Sequence, residues 1–414
     1  MPSRSTPCAP IRCATNGASA GASSTRTPGA AYARRTAPAF AASATPFARS
    51  RSDATSSGCS TARATRLSNL VTTAGRGRAS SLIGAGLVPS VRITYDRTGP
   101  EDARGPLTDP GARLPLHAWS SAHYVIALPE GHRFPIAKYA RLRDTVLAEG
   151  IVRPAELHDP ARAPLEDVRR VHDGDYLERL LRGTMPAAEQ RVLGFPWSEG
   201  LVERSFRASG GTLEAAEHAL DAGIAMNLAG GTHHAFATHG EGFCVLNDVA
   251  IAVRALRARG RARRFAVVDL DVHQGNGTHA LLAGDDDAYT FSMHGRRNYP
   301  FRKVAGRRDV ELEDGTGDTE YLERLADALP AVLAEARADL VFYLAGADPH
   351  EGDALGRLRL TFDGLMRRDA LVLEAARTVG VPVAIAIAGG YGRDIGDTVR
   401  VHANTARVAR DFLA

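Results

Sequence analysis

The sequence predicts an α/β domain in which a mostly parallel central sheet is covered by helices on both faces. Two observations point to this architecture. Segments with apolar residues at helical spacing alternate with short runs rich in Val, Ile, Leu and Phe. Each of these runs ends in Gly or in a polar residue. Near-continuous apolar strands separated by helices are typical of parallel sheets, whose two faces are both buried.

The predicted elements follow one another in a regular order. Four helices come first, at residues 132–150, 171–183, 210–231 and 248–260. Four strands are expected after them, at residues 264–273, 288–294, 339–348 and 381–391. Two further helices lie between the strands, at residues 319–338 and 360–380. Because ligands of parallel sheets bind at the carboxyl ends of the strands, the polar residues that close these strands are candidate functional residues.

Composition divides the chain into a tail, residues 1–117, and a domain, residues 118–414. The tail is dominated by Ala, Arg, Ser, Thr, Gly and Pro and has few large apolar residues. Such a segment buries too little surface to offset the entropy of ordering the chain, so we expect it to be disordered or outside the fold. The net charge is +10 for residues 1–118 and −6 for the remainder, so the basic pI belongs to the tail.

The tail has three possible origins: a targeting peptide, a disordered extension or a misassigned start. Its Arg- and Ser-rich, acid-poor composition is typical of organellar transit peptides, but a cytoplasmic location is the main expectation. Only Cys244 lies in the domain, which excludes a disulfide framework there. No run approaches the ~20 apolar residues of a membrane span. Because Arg replaces Lys almost throughout the chain, the Arg content is not evidence for phosphate contacts, and no direct nucleic-acid binding is expected.

The most informative single motif is the pentapeptide Asp269-Leu-Asp271-Val-His273, at the end of a predicted strand. Alternate residues of an extended segment point the same way, so its three ionisable side chains share one face. Burying them unpaired would be costly, and a bound cation removes that cost. Carboxylate and imidazole are zinc ligands, and three protein ligands with one open position are typical of catalytic sites. Alone, the motif is equally compatible with a strand end whose Asp caps the next helix.

Other residues become informative only beside this motif. Asp348 closes another predicted strand and supplies a third ligand. Considered by itself, it is better explained as an Asp that opens a turn before Pro349. His233 and His234 precede the sequence GEGFC, which suits a pocket wall, but adjacent histidines are often surface residues. Tyr391 follows Ala-Gly-Gly, where backbone can approach a ligand closely, but a lone Tyr there is usually a packing residue.

Together, these segments resemble the histone deacetylases in order, spacing and residue type. The resemblance runs from about residue 119 to the C-terminus and is carried by HRFPIAKYARLRD, VHDGDYLERL, GGTHHAFATHGEGFCVLNDVAIAVRAL, VVDLDVHQGNGTHA, TFSMHG, LAGADPHEGDALGRL and AGGYGRD. The variants HQGNG and ADPHEGDALGRL are more similar to the class IV branch and its bacterial relatives. The resemblance implies a three-layer arginase/deacetylase-like fold and a zinc-dependent amidohydrolase.

The resemblance also implies roles for individual residues. The Zn²⁺ ligands would be Asp271, His273 and Asp348. His233 and His234 would form the histidine pair, Tyr391 would bind the carbonyl oxygen, and Asp269 would support His233. The acyl tunnel would be lined by Gly242 and Phe243. A monovalent cation, K⁺, would be held by the main-chain carbonyls of Asp269, Asp271, His273 and Met293 and by the hydroxyl of Ser292.

One departure from the family pattern concerns the second histidine. Most class I members carry Asp at the position of Asn276, so the expected partner of that histidine is here a neutral amide. Gln274 likewise replaces the His that is common after the ligand histidine. Both substitutions occur in the class IV branch, so they do not indicate loss of activity.

The expected reaction is hydrolysis of the amide of N-acyl-lysine, acetyl-lysine or a longer acyl derivative, in proteins. Two alternatives stay open at this point: an amidohydrolase for small acylated amines such as acetylpolyamines, and a non-enzymatic deacetylase-like scaffold. A non-enzymatic scaffold would be expected to lack some of the metal ligands, and none of them is missing from this sequence. Arginase-like enzymes bind two manganese ions through additional Asp and His ligands, and the single-site pattern here argues against them.

Overall fold

The structure is a computed structural model, and it describes residues 114–413. Its central feature is an eight-stranded sheet in the order β2-β1-β3-β8-β7-β4-β5-β6, with every neighbouring pair parallel. In chain order the strands are β1 (His117–Trp119), β2 (Leu157–His158), β3 (Ile224–Asn227), β4 (Phe265–Asp269), β5 (Ala288–Gly295), β6 (Arg308–Leu312), β7 (Leu340–Leu344) and β8 (Val383–Ala386).

Helices connect these strands, except that residues 296–307 join β5 to its parallel neighbour β6 without a helix. They are α1 (Ala137–Ala148), α2 (Leu165–Arg169), α3 (Gly174–Arg182), α4 (Ala187–Leu193), α5 (Glu199–Ala222), α6 (Asp248–Ala258), α7 (Asn276–Leu281), α8 (Asp318–Ala336), α9 (Phe362–Thr378) and α10 (Ile395–Asp411), with a short 3₁₀ helix at Pro154–Glu156. None of the helices within residues 114–413 combines length and apolar character sufficient to cross a membrane.

Helix ends lie where the sequence supplies capping residues. The side chains of Asn247, Thr361 and Asp394 accept hydrogen bonds from backbone N–H groups in the first turns of α6, α9 and α10. Helix α3 ends at Gly183, whose φ of +71° is the left-handed conformation that closes many helices. Capping residues in the local sequence therefore determine where these helices begin and end.

Both faces of the sheet are buried. In β4, Phe265 and Val267 pack with apolar residues of α5 and α6, whereas Ala266 and Val268 pack with those of α1, α8, α9 and α10. Successive side chains of a strand point to opposite faces, so an all-apolar strand serves both cores. The predicted parallel sheet with helices on both faces is confirmed.

Two details differ from the sequence-based expectation. The predicted helix at residues 210–231 is the second half of α5 followed by strand β3, so its final third was assigned wrongly. The runs expected to form strands at residues 264–273, 339–348 and 381–391 leave the sheet at Asp269, Leu344 and Ala386, and the rest of each run forms a loop. Residues 1–113 lie outside the described residues, so the prediction for the tail stays a prediction.

Candidate active site

The candidate site lies at the carboxyl edge of the sheet. Asp269, Leu344 and Ala386, the last residues of β4, β7 and β8, are in register across neighbouring strands, and β3 ends beside Ala386 at Asn227. The loops that leave these strand ends carry the residues that the sequence singled out. Because parallel strands end at one edge, segments that are far apart in sequence meet there.

Three buried side chains form a potential metal site. Asp271, His273 and Asp348 each offer one ligand atom, and these atoms lie within 4.8 Å of one another. Nδ1 of His273 lies 2.9 Å from Oδ1 of Asp271 and 3.3 Å from Oδ2 of Asp348. That Oδ2 atom is fully buried and receives no well-aligned hydrogen bond. Two carboxylates and an imidazole of this kind fit a Zn²⁺ ion, which would satisfy the unpaired oxygen.

Backbone amides orient the two carboxylates. The N–H groups of His273 and Gly389 donate to Asp271, at 2.9 and 2.7 Å, and the N–H of Val272 donates to Oδ1 of Asp348 at 2.9 Å. Burial and the nearby charge of Asp271 raise the pKa of Asp348. Two carboxylates held this close without solvent disfavour each other's charge, and a divalent cation stabilises both.

The adjacent histidines have different partners. Nδ1 of His233 donates to Oδ2 of Asp269 at 2.7 Å, and Nδ1 of His234 lies 2.7 Å from Oδ1 of Asn276. The two ring centroids are 4.1 Å apart. Burial alone lowers the pKa of His233, but the charges of Asp269 and Asp271 raise it to about 9. Burial and the charge of His233 hold the pKa of His234 well below its usual value. The two rings therefore differ in their surroundings: a carboxylate contacts His233 and favours its charged form, whereas a neutral amide contacts His234.

Asp248 fixes the backbone that carries the histidines. It is fully buried in the first turn of α6, and its carboxylate accepts from the N–H groups of Gly231 and Thr232 at 2.8 and 2.7 Å. It also accepts from the hydroxyls of Thr232 and Thr212. Sequence reasoning missed this residue. Its one signal was an acidic residue at a helix start, which is ordinarily explained by the helix dipole.

Tyr391 faces the same site. Its ring centroid lies 6.5 Å from that of His273 and 5.8 Å from that of Phe243. Its backbone N–H donates to Oδ2 of Asp353 at 2.6 Å, and Oδ1 of Asp353 accepts from two further N–H groups of its own loop. Burial raises the pKa of the Tyr391 phenol well above its usual value, so the hydroxyl remains a donor at neutral pH. Asp353, which sequence reasoning also missed, positions this loop.

A narrow cavity joins these groups. Its volume is about 50 Å³, and its walls include His233, His234, Gly242, Phe243, Asp271, His273 and Tyr391. Gly242 and Phe243 both have positive φ, +55° and +66°. A Cβ atom on Gly242 would approach Cδ2 of His234 to 2.7 Å, so glycine permits the close approach of this loop to the histidine. The two residues predicted to line a tunnel lie in the cavity wall.

The residues expected around a monovalent cation lie beside the metal site. Ser292 and Met293 belong to β5 and are fully buried, and Ser292 is the register partner of Asp269 on β4. Oγ of Ser292 lies 2.9 Å from Nδ1 of His294. Gln274, the other departure from the family pattern, donates to Asp309 and accepts from the N–H of Val304, so it anchors a neighbouring loop.

Comparison with known proteins identifies the family. The sequence model of the histone deacetylase domain matches residues 132–406. The chain belongs to the histone deacetylase family. Histone deacetylase 2 of Arabidopsis thaliana is 34% identical over 269 residues, which cover 63% of this chain and 70% of that protein. An uncharacterized protein of Picosynechococcus is 45% identical over 288 residues, which cover 70% of this chain and 96% of that protein.

Solved structures show the same fold. A crystal structure of a histone deacetylase homologue complexed with SAHA superposes with a TM-score of 0.65 at 24% identity, covering 72% of this chain and 84% of that one. The arginase/deacetylase fold predicted from the sequence is thereby confirmed. As a member of the histone deacetylase family, the chain is a zinc-dependent amidohydrolase.

Proposed function

We propose that this enzyme hydrolyses the amide bond of N-acyl-lysine, acetyl-lysine or a longer acyl derivative, in proteins. The observation that carries the proposal is the narrow cavity of about 50 Å³, onto which a metal-ligand pair, both histidines and Tyr391 all open. Amide hydrolysis needs an activated water, a proton shuttle and an oxyanion donor around one carbon atom. The histidines and Tyr391, which line that cavity, are suited to the last two tasks, and the metal-ligand pair beside them is suited to the first.

Zn²⁺ would be held by Asp271, His273 and Asp348. When bound, zinc polarises the acyl carbonyl and lowers the pKa of water at the site. The Oδ2 atom of Asp348 supports this assignment, because its one near donor, Nδ1 of His273 at 3.3 Å, also lies 2.9 Å from Asp271, and a buried carboxylate oxygen that is poorly paired is costly.

A K⁺ ion is proposed next to the zinc site. The register pairing of Asp269 with Ser292 supports it, because it brings a main-chain carbonyl and a hydroxyl to neighbouring strands. Oxygen atoms are the ligands that hard cations prefer. The proposed set consists of the carbonyls of Asp269, Asp271, His273 and Met293 and the hydroxyl of Ser292.

The histidine pair would move the proton. His234, whose partner is the neutral Asn276, is the group suited to accept a proton from the attacking water. His233, charged through Asp269, is suited to deliver a proton to the leaving lysine nitrogen. The different partners of the two rings support this division.

Tyr391 would donate a hydrogen bond to the developing oxyanion, a contribution typically worth ~3–4 kcal/mol. Gly242 and Phe243 would contact the acyl-lysine stem. Phe243 also packs against Phe134 and Phe195, at ring-centroid distances of 5.5 and 5.3 Å, so the wall that receives the acyl group is apolar.

A protein substrate is favoured over small cationic amines by the loop beside the cavity. This loop, residues 296–303, has the sequence RRNYPFRK, with four cationic residues and no acidic one. Its Tyr299 ring lies 5.0 Å from the His234 ring, and its Phe301 is 86% exposed. Arg296 and Arg297 pair with Glu313 and Asp314, so the feature that favours a peptide is the exposed ring of Phe301, which offers apolar contact beside the cavity.

A deacylation screen of the full-length enzyme tests the proposal. The substrates are acetyl-lysine peptides, long-chain acyl-lysine peptides and acetylpolyamines, and we expect turnover of the peptides. Asp348→Ala should abolish it, whereas Asp286→Ala, at a side chain that is 92% exposed, should not. Exclusive turnover of acetylpolyamines would contradict the proposed substrate, and hydrolysis by Asp348→Ala at the parental rate would contradict the proposed site.

A further inference from the structure

Asn276 joins His234 to a carboxylate that no step above has used. Nδ1 of His234 lies 2.7 Å from Oδ1 of Asn276, and Nδ2 of Asn276 donates to Oε1 of Glu241 at 2.7 Å. Asn276 is 3% exposed, and the side chain of Glu241 is 15% exposed. We call His234, Asn276 and Glu241 the Glu241 relay. Because solvent has little access to it, its hydrogen bonds are only weakly screened.

The orientation of the Asn276 amide follows from the chemistry of Glu241. An ionised carboxylate accepts hydrogen bonds and donates none, so Asn276 must present its Nδ2 hydrogens to Glu241. Its Oδ1 then faces His234, and Nδ1 of His234 has to be the donor. The neutral ring consequently carries its lone pair on Nε2. Without Glu241, the two orientations of the amide have nearly the same shape, and either tautomer of His234 can form.

Glu241 is itself held in place by the loop that forms the cavity wall. The N–H of Cys244 donates to the carbonyl of Glu241 at 2.9 Å, and Nε2 of His239 lies 3.6 Å from Oε2. Burial acts to raise the pKa of Glu241, but hydrogen bonds from His239, Asn276 and Tyr299 lower it. The acceptor-only carboxylate is therefore the form present at neutral pH.

We propose that Glu241 is a positioning residue of the reaction, which orients Asn276 and thereby keeps the proton-accepting lone pair of His234 on Nε2. This inference rests on the proposed role of His234 as proton acceptor. His233 is different, because Asp269 contacts its ring directly at 2.7 Å and favours its charged form. In the Glu241 relay, the amide of Asn276 lies between the carboxylate and the His234 ring. It determines which nitrogen of the ring donates, and because it is uncharged it does not favour the charged form of that ring.

Exchanging the amide and the carboxylate between positions 241 and 276 tests the direction of the hydrogen bonds while the size of both side chains stays nearly the same. Glu241→Gln keeps the shape but leaves two amides that can pair in either direction. We expect kcat to fall about ten- to hundredfold, with KM within about twofold of the parent. In the double variant Glu241→Gln/Asn276→Asp, the carboxylate accepts from His234 and the new amide donates to it. We expect its kcat, at its own pH optimum, to return to within about threefold of the parent.

Nitrogen NMR of the full-length protein, labelled with ¹⁵N-histidine, provides a readout that does not depend on turnover. It reports which ring nitrogen of His234 carries the proton, and a His234→Gln sample identifies the resonances. We expect the neutral ring to carry its proton on Nδ1 in the parent and in the exchange variant, the latter recorded above the pKa that the new carboxylate raises. We expect a mixture of tautomers in Glu241→Gln. Since no substrate is needed, the relay is tested even if the enzyme proves to hydrolyse a different amide.

Glu178→Gln is the matched control, because it makes the same carboxylate-to-amide change at a side chain on α3 that is 58% exposed and lies outside the relay. Its kcat should stay within about twofold of the parent, as for other partly exposed contacts. The proposal is overturned if Glu241→Gln keeps the parental kcat, if its His234 remains a single Nδ1-protonated tautomer, or if the exchange variant is no faster than Glu241→Gln. Thermal unfolding checks each fold, and Glu241→Ala repeats the test should Glu241→Gln not fold.

Discussion

Replacing Gly389 with Ala should weaken zinc binding while leaving the fold intact. A Cβ atom on Gly389 would lie 2.1 Å from Oδ2 of Asp348 and 2.5 Å from Oδ2 of Asp271, where ordinary contact begins at 3.4 Å. Both carboxylates would have to move by about 1 Å, whereas zinc–ligand distances tolerate only about 0.2 Å. The substitution therefore acts on the metal site from a residue that is not itself a ligand.

The expected size of this effect is a ten- to hundredfold loss of zinc affinity, about that of disturbing the groups that orient metal ligands. Competition with a chromogenic chelator measures the affinity directly. Gly200→Ala is the control, because Gly200 lies within α5 and a Cβ there comes no closer than 3.4 Å to its neighbours. Equal zinc affinity in Gly389→Ala and the parent, with both proteins folded, would refute the view that Asp271 and Asp348 share an ion.

Three further predictions concern the oxyanion donor, the tail and the acid response. Tyr391→Phe should lower kcat by roughly a hundredfold or more at unchanged zinc content, since it removes one donor but keeps the ring; a rate within about twofold of the parent would make Tyr391 a packing residue. Deleting residues 1–113 should leave the melting temperature and turnover unchanged, because this segment has few large apolar residues; a large fall in melting temperature would contradict this. Burial lowers the pKa of His172 from 6.5 to about 4, so the unfolded chain binds more protons between these values and stability is lost as pH falls through them. This loss, about 3 kcal/mol, should be missing in His172→Gln when denaturant titrations at pH 7 and pH 4 are compared; an equal acid-induced loss in both proteins would refute it.

The sheet was predictable only where strands are long and apolar. The runs that contain β4, β5, β7 and β8 could be recognised from their apolar composition. By contrast, β1 and β2 consist of HAW and LH, and β3 of IAMN directly after a long helix. Strand β6, RDVEL, was missed as well, because three of its five residues are charged. HAW and LH are too short to show a pattern, and IAMN continues the apolar spacing of the helix before it. The strand conformation of these segments arises from pairing with neighbours that are distant in sequence. Contacts with distant parts of the chain therefore determine that these segments are strands.

The site divides in the same way. Asp271 and His273 were visible as alternating polar residues that close a predicted strand, although the strand itself ends at Asp269. Asp348, His233 and His234 were candidates beside this motif, and the family resemblance gave them their roles. Asp248, Asp353 and Glu241 gave no comparable signal. Each is a single acidic residue at a helix start or in a loop, and its partners include a backbone N–H group or an amide side chain from another segment. Such positioning contacts depend on the close approach of separate loops, which only the folded chain provides.

The most direct test of the zinc assignment is a titration of chelator-treated, full-length protein with Zn²⁺, followed by hydrolysis of an acetyl-lysine peptide. If Asp271, His273 and Asp348 form one catalytic site, activity should be absent at the start and should rise to a plateau at about one zinc per chain. Asp348→Ala should show no such rise over the same range. Full activity in the zinc-free protein, or an identical titration curve for Asp348→Ala, would contradict the account.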